Sequence, residues 1–324
     1  MSIPASPPEP AILVVRLGAM GDIIHALPAV RALKLGHPNA AIFWVVEPKW
    51  APLLEQNPFV DRVLLFDRSI RGLLAAPRTL RVSRCRFAVD FQGLLKSALV
   101  ALAAGPETIY GFDADLVRER AAAVFYQHRI STPAAHVVDR NRDLAAAAGA
   151  VRDVEPCFPL PPGRPEGQLP AGDFVLASPF AGWASKQWPI AHYRALAARL
   201  DSEWRMPLVL NGVPGASFGD IAPAIAHYSG LPGLIDATRR AAAAIGVDSG
   251  PLHLAAALDK PGVAIFGPTD PARNGPYGAS LRVLRSAGAV TTYKRGAAID
   301  PSMQTISPDQ VFETLRTALG RARS

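Results

Sequence analysis

The residues best able to do chemistry lie in turns that follow apolar runs, and the clearest example is the stretch at residues 248–258. It reads DSGPLHLAAAL, and its proline suits the first turn of a helix. Gly250 lets a ligand approach the backbone, and the helix start directs N–H groups and a positive dipole at an anion. We therefore expect a phosphate here, with His253 as a further donor. The alternative is a helix capped by Asp248 or Ser249, with a surface histidine.

A second turn, at residues 180–189, offers a cation to such a phosphate. Gly182 and Ser185 keep it open, Lys186 is a natural counter-charge, and Trp188 is suited to anchoring the loop. The alternative is an exposed lysine on an ordinary loop.

A third turn, GAMGD at residues 18–22, opens the first predicted helix. Its glycine spacing fits neither GxGxxG nor a Walker A loop. Asp22 is either an N-cap or a carboxylate held at a cleft as a general base, and His25 either assists it or packs.

Weaker candidates complete the set of polar groups. Thr269 lies in the turn at residues 267–271 and offers a hydroxyl to the same cleft, unless that segment is only a rigid turn. Arginines of the first half could bind an anionic acceptor or lie singly on the surface, namely Arg16, Arg118, Arg120 and Arg140. Asp113 and Asp115 form a DxD pattern that is too short to predict a metal, and HExxH and Cys/His clusters are absent from the sequence. We expect no metal.

The elements that must position these residues alternate between strand and helix. In the first half, strands are predicted at 11–17, 41–47, 60–67 and 86–92, and helices from residue 22, at 70–84, 94–104 and 136–149. Residues 106–135 are expected to be irregular, with a helical piece near 118–127. In the second half, strands are predicted at 173–178, 207–211, 245–248 and 262–267, and helices at 190–204, 217–228, 233–244, 251–258 and 308–322. Such alternation predicts parallel sheets, with ligands beyond the carboxyl ends of the strands.

Length and composition predict two α/β domains. The chain has 324 residues, 49% of them hydrophobic and 19% charged, and domains usually contain about 100–200 residues. The proline-rich segment 156–171 cannot sustain a helix or a central strand. We therefore expect an N-terminal domain at 1–155, a linker at 156–171 and a C-terminal domain at 172–324.

Charge and cysteine content restrict the partners and the compartment. The net charge is +7, mostly from arginine, which fits a solvated basic surface, an anionic membrane surface or a phosphorylated small molecule. A nucleic acid is not expected, because no compact basic run appears. Two cysteines form no disulfide framework and fit a cytoplasmic setting. The first ten residues lack the apolar core of a signal peptide, and no apolar run reaches the about 18 residues that span a membrane.

Five motifs occur in order along the chain: VRLGAMGDIIHALPA (15–29), DFQGLLKS (90–97), SKQWP (185–189), DSGPLHLAAAL (248–258) and FGPTDP (266–271). In this combination the chain resembles the ADP-heptose:lipopolysaccharide heptosyltransferases of glycosyltransferase family 9. Residues 44–47 and 118–126 most resemble heptosyltransferase I. The resemblance implies a GT-B fold, in which two Rossmann-like doubly wound domains face a central cleft. It also implies that the last helix, about 308–322, packs back on the N-terminal domain.

The resemblance implies an inverting, metal-independent transfer of heptose from ADP-heptose to the Kdo region of a lipid A acceptor. Asp22 matches the catalytic base. The matching donor-site positions are Lys186, Asp248, Ser249, Gly250, His253 and Thr269, with Ala181 and Gly182 in place of two threonines of some relatives. Acceptor contacts are expected from Gly21, Arg16, Arg118, Arg120 and Arg140. The enzyme would need no cofactor and act as a monomer, peripherally at the cytoplasmic face of the inner membrane.

Several alternatives remain at this point. The acceptor could be that of heptosyltransferase II or of another family member. From other classes, the chain could be a dinucleotide-dependent Rossmann oxidoreductase, although it lacks GxGxxG followed by an acidic residue about 20 positions on. It could also be a non-catalytic nucleotide-sugar-binding protein, since capping alone would explain Asp22.

Overall fold

The computed structural model describes residues 9–67, 69, 72, 77–78, 80, 85–292 and 294–321. The chain divides into two compact units, Met1–Pro161 and Pro162–Ser324. The division falls within the segment at which the linker is predicted. Among the described residues, no helix is long and apolar enough to cross a membrane. Both cysteines are free, Cys85 being buried and Cys157 exposed.

The first unit is built on a parallel sheet. Its strands are β1 (Glu9–Val15), β2 (Ala40–Val46), β3 (Arg62–Leu65), β4 (Cys85–Asp90), β5 (Thr108–Phe112) and β6 (His128–Ile130), and its described helices are α1 (Met20–Gly36), α2 (Leu95–Ala103) and α3 (Val137–Ala147). Short 3₁₀ helices span Pro48–Leu54 and Arg120–Phe125. The strand order is β3-β2-β1-β4-β5-β6. Helices α1 and α3 pack together.

The second unit repeats this plan. Its strands are β7 (Val175–Ser178), β8 (Leu208–Gly212), β9 (Ile225–Tyr228), β10 (Ala243–Val247), β11 (Gly262–Phe266) and β12 (Leu281–Arg285). Its helices are α4 (Ile190–Trp204), α5 (Leu231–Arg240), α6 (Gly250–Ala257), α7 (Pro271–Asn274), α8 (Pro301–Gln304) and α9 (Pro308–Ala318), and a 3₁₀ helix spans Ala184–Lys186. The order β12-β11-β10-β7-β8-β9, all parallel, matches that of the first sheet when it is read from β9. Both are the doubly wound Rossmann order.

The central strands are apolar on both faces because helices cover parallel sheets on both sides. Val14 and Val15 in β1, and every residue of β10, are buried. This continuous burial explains why these strands are recognisable as unbroken apolar runs rather than as alternating patterns. The predicted doubly wound fold is confirmed in both units.

Several predicted elements are wrong. Residues 217–228 do not form a helix, because Pro223 lacks an N–H donor and the segment ends in strand β9, which pairs with β8. Residues 106–135 are not irregular throughout, since they contain β5 and β6. These strands span only 5 and 3 residues and leave side chains partly exposed, so they carry no apolar run. The predicted basic helix at 70–84 lies largely outside the described residues.

The last helix buries its apolar side within the second unit. Val311, Phe312 and Leu315 lie in the core that also contains Leu196 and Leu200 of α4, and α9 packs against α4, β11 and β12. The expectation that this helix also packs back on the N-terminal domain stays a prediction. The apolar residues of α9 pack against the apolar face of α4, which lies in the same unit.

Arg199 joins α4 to α9 on the surface. Its guanidinium nitrogens lie 2.6 Å from Glu203, 2.8 Å from Asp309 and 3.0 Å from Glu313. The guanidinium carbon also lies 3.9 Å from the centre of the Phe312 ring. Glu203 and Asp309 raise the pKa of Arg199, the hydrogen bond to Glu203 contributing most.

We expect Arg199→Ala to lower the free energy of unfolding by about 1–2 kcal/mol, because it removes several ion pairs and a cation–π contact at once. Urea unfolding at low and high salt measures this, and the loss should shrink as salt screens the pairs. Arg194→Ala on the same helix is the control, since Arg194 makes one exposed pair, with Asp220. Equal losses for the two variants would contradict the network.

Candidate functional site

Three of the predicted site residues, Asp22, Lys186 and Asp248, follow strands at which the sheets reverse their order. In the first unit these are the neighbours β1 and β4, and in the second they are β7 and β10. Ligands of doubly wound sheets bind beyond the carboxyl ends of such strands. Asp22 follows β1, Lys186 follows β7, and Asp248 comes directly after β10.

Asp22 lies in the first turn of α1, three residues after the N-cap residue Ala19, so it is not itself the predicted N-cap, and its role as a base stays a prediction. Its Oδ2 accepts a hydrogen bond of 3.1 Å from the N–H of Ala19, the residue that precedes the helix. Its Oδ1 lies 2.6 Å from Nη2 of Arg16. The side chain nevertheless remains 37% exposed. Because each carboxylate oxygen can accept more than one hydrogen bond, Asp22 can still accept a proton from a substrate.

Arg16, an expected acceptor contact, is buried beside this carboxylate. Its guanidinium binds Asp22 and donates a short hydrogen bond to the carbonyl oxygen of Phe91. The indole of Trp44 donates to the carbonyl oxygen of Arg16 at 3.2 Å. The structure thus gives Arg16 a direct role in holding Asp22, and its contact with an acceptor stays a prediction.

Lys186, Asp248 and His253 come together in the second unit. The Lys186 Nζ atom lies 2.5 Å from Oδ2 of Asp248, and His253 Nε2 lies 3.8 Å from the other carboxylate oxygen. The lysine ammonium also lies 4.2 Å from the centre of the Trp183 ring. The side chains of Asp248 and His253 are buried. The alternatives of an exposed lysine and a surface histidine are therefore wrong.

Two hydroxyl groups near these residues are buried without a hydrogen-bond partner among the described atoms. Ser249 precedes α6 as its N-cap, yet its hydroxyl makes no capping bond. Thr269 follows β11, is 3% exposed, and its hydroxyl is likewise unpartnered. Buried polar groups normally have partners, so phosphate or sugar oxygens would satisfy them. The capped-helix alternative at Ser249 is thus not supported by its side chain.

The backbone positions expected at the donor site are accessible. Gly182 is exposed, and a Cβ atom there would meet nothing within 4 Å. Ala181 is half-buried beside it, and Gly250 is half-buried at the first position of α6. Trp188 anchors this loop as expected, because it is buried and its indole donates to the carbonyl of Ile306 at 2.8 Å.

The remaining acceptor candidates contact groups other than Asp22. Arg118 is exposed, Arg120 pairs with Asp115 at 2.9 Å, and Arg140 donates to the carbonyl of Ala134 at 2.8 Å. Gly21 is buried inside α1. The described contacts therefore do not gather these residues, and their acceptor role stays a prediction.

Asp113 and Asp115 are engaged in local contacts. Asp113 accepts hydrogen bonds from the N–H of Ala114 and from the Ser131 hydroxyl, while Asp115 pairs with Arg120. Over the part of the chain that the structure describes, no group of three His, Cys, Asp or Glu side chains could hold a metal ion. His25 is buried and packs edge-on against His136, with ring centres 5.6 Å apart.

Asp90 is a buried carboxylate whose role is not predicted by its local sequence. It ends β4 and accepts hydrogen bonds from the N–H of Gln92 at 2.9 Å and from the hydroxyls of Ser97 and Tyr126 at 2.7 Å each. Burial raises the pKa of Asp90 against the effect of these bonds. The pKa of Tyr126 is also raised, first by burial and then by Asp90. The available signal was a carboxylate within a predicted strand, three residues before a glycine.

With this geometry established, the chain can be compared with known proteins. The model of the family described as glycosyltransferase family 9 (heptosyltransferase) matches residues 73–299. The chain belongs to glycosyltransferase family 9. As a family 9 glycosyltransferase it is an enzyme, which overturns the oxidoreductase and non-catalytic alternatives.

Family 9 relatives cover most of the chain. Lipopolysaccharide heptosyltransferase 1 of Pseudomonas aeruginosa is 32% identical, over 83% of this chain and 82% of its own. Lipopolysaccharide heptosyltransferase 2 of Escherichia coli is 27% identical, over 95% and 98% respectively. The solved E. coli heptosyltransferase WaaC with ADP has a TM-score of 0.78 at 24% identity, covering 95% of this chain and 99% of that one. The same enzyme with ADP-2-deoxy-2-fluoro heptose has a TM-score of 0.76. The expected GT-B fold is confirmed.

Proposed function

We propose that the chain transfers L-glycero-D-manno-heptose from ADP-heptose to a Kdo residue of the lipopolysaccharide inner core, with inversion and without a metal. The observation that carries this is the group formed by Lys186, Asp248 and the unpartnered Ser249 hydroxyl at the start of α6. Cation, hydroxyl and helix N-terminus together suit a leaving diphosphate. A relative in family 9 has been solved with ADP and with an ADP-heptose analogue.

In this proposal Asp22 acts as the general base. It removes the proton of a Kdo hydroxyl, whose oxygen forms a bond to C1 of the heptose. The bond between C1 and the diphosphate oxygen breaks, and ADP leaves with the electron pair. Lys186, the Ser249 hydroxyl and N–H groups at the start of α6 stabilise the negative charge that develops on ADP. Attack on the face opposite to the leaving group inverts the anomeric centre.

Asp248 and His253 complete the donor site in this proposal. In it Asp248 accepts hydrogen bonds from the heptose hydroxyls, a role supported by its pair with Lys186, which also sets the position of the ammonium group. His253 lies beside the same carboxylate and can donate to the diphosphate. Backbone N–H groups at Ala181 and Gly182 take the place of the threonine hydroxyls of some relatives.

The acceptor is lipid-bound, so we place the reaction at the cytoplasmic face of the inner membrane, with the enzyme bound peripherally as a monomer. The net charge of +7 supports attraction to an anionic surface. Arg118, Arg120 and Arg140 are our candidates for contacts with acceptor phosphates or Kdo carboxylates.

The deciding experiment is transfer from ADP-heptose to Kdo2-lipid A, with UDP- and GDP-sugars as control donors. We expect product only with ADP-heptose, at a rate that EDTA does not change. Product on an acceptor that already carries the first heptose, and none on Kdo2-lipid A, would favour heptosyltransferase II, which the relative at 27% identity supports as the second candidate. Inactivity with both acceptors, or loss of activity with EDTA, would contradict the proposal.

A further inference from the structure

The turn that follows β4, residues 90–93, is bonded to the loop that carries the proposed base. The N–H of Leu17 donates to Oε1 of Gln92 at 2.7 Å. The Arg16 guanidinium donates to the carbonyl oxygen of Phe91. These bonds join two segments that are 75 residues apart in the chain.

The bonds lead directly to Asp22. Nη2 of Arg16 lies 2.6 Å from Oδ1 of Asp22, while Nη1 donates to Phe91, and the Arg16 side chain is only 8% exposed. Because the guanidinium is buried and planar, a hydrogen bond at Nη1 also restricts where Nη2 can lie. The position of the Asp22 carboxylate therefore depends on where the 90–93 turn places its acceptors.

The 90–93 turn is itself supported by Asp90, whose side chain is fully buried. Its carboxylate binds the N–H of Gln92 within the turn, the Ser97 hydroxyl of α2, and the hydroxyl of Tyr126 beyond β5. A buried carboxylate is costly unless it is fully hydrogen-bonded. Its presence at this point is explained if the turn must keep one shape.

We propose that Gln92, held in place by the Asp90 network, is a positioning residue for the Asp22 base. It acts by fixing the backbone at Leu17, next to Arg16, and thereby the distance and angle at which Asp22 meets the acceptor hydroxyl. This inference rests on the proposed function, because it takes Asp22 to be the base. It assigns a role in catalysis to the DFQG segment, which is part of one of the motifs shared with the family.

The test compares Gln92→Met with a matched control, Gln127→Met. Gln127 also accepts a backbone N–H with its side-chain oxygen, from Ile109 at 2.8 Å, but at β5. Both variants lose one bond of the same kind, so we expect similar shifts in the melting temperature. Only Gln92→Met should lower kcat, by about 10- to 100-fold, since small misplacements of a catalytic group have effects of this size. The KM for ADP-heptose should stay within about twofold in both, as expected for a change confined to positioning.

A double variant shows whether Gln92 acts through the base. In an Asp22→Asn background, Gln92→Met should cause little further loss of kcat, because the group that it positions has been removed. Multiplying effects would overturn the inference, as would equal kcat values for Gln92→Met and Gln127→Met. If Gln92→Met melts much earlier than the control, Gln92→Asn, which withdraws the oxygen by one methylene, replaces it. A wild-type enzyme without heptose transfer would instead refute the proposed function itself.

Discussion

Asp22→Asn is expected to lower kcat for heptose transfer by about 10²- to 10⁴-fold, the range that a positioned general base contributes. The amide oxygen of asparagine can still accept the N–H of Ala19, so the start of α1 should persist. The amide cannot take up a proton at neutral pH. ADP affinity, measured by titration calorimetry, should be unchanged, because the proposed ADP contacts lie in the second unit.

Asp139→Asn is the matched control for this result. Asp139 also lies in the first turn of a helix in the first unit and pairs with an arginine, Arg142, at 3.7 Å. We expect it to retain full activity. Asp22→Asn should melt earlier than this control, since the buried guanidinium of Arg16 loses its carboxylate. Retention of wild-type kcat by Asp22→Asn would remove Asp22 as the base.

Lys186→Met is expected to weaken ADP binding by about 10- to 150-fold, which corresponds to the roughly 1.5–3 kcal/mol of a charge-assisted hydrogen bond. The apolar part of the side chain is kept, so the contact with the Trp183 ring is altered mainly in charge. The difference in ADP affinity between the wild type and Lys186→Met should grow as the salt concentration is lowered, because the lost interaction is between charges. Titration of ADP into each protein measures it.

A second substitution, at Asp248, distinguishes the effect of Lys186 on ADP binding from its effect on the stability of the fold. Removing the ammonium leaves the buried Asp248 carboxylate without its counter-charge, so Lys186→Met should also unfold at a lower temperature. Adding Asp248→Asn removes that charge and should recover much of the melting temperature. It should not recover ADP affinity, because the cation is still missing. Recovery of both would mean that Lys186 only stabilises the fold.

The fold was accessible from the sequence where burial is continuous. Strand β1 is apolar and buried from Ala11 to Val15, and β10 is buried along its whole length, so the parallel architecture follows from the alternation of such strands with helices. Strands β5 and β6 were missed because they are short and partly exposed. Strand β9 was predicted as part of a helix because the apolar residues around Pro223 favoured a helix, although the proline disfavours one.

The candidate site could be predicted from the sequence only in part, and the reason differs from that for the strands. The turn chemistry at residues 248–258 and the cation at Lys186 could be recognised locally, but their ion pair joins residues 62 apart in the chain. Periodicity carries no information on such pairs. The same holds for Arg16, whose basic character suggested an anionic ligand, whereas its carboxylate partner is Asp22. The burial of His253 and Asp90 likewise depends on neighbours that the local sequence does not specify.

The division of the chain at residues 161 and 162 has a consequence for engineering and for evolution. The proposed base lies on one side of it and every proposed donor contact lies on the other. On the proposed function we expect the two specificities to diverge independently, and a chimera joined within the proline-rich segment should inherit its nucleotide-sugar preference from one parent and its acceptor from the other. We therefore expect each of the two domains, which share one strand order, to be exchangeable between members of the family.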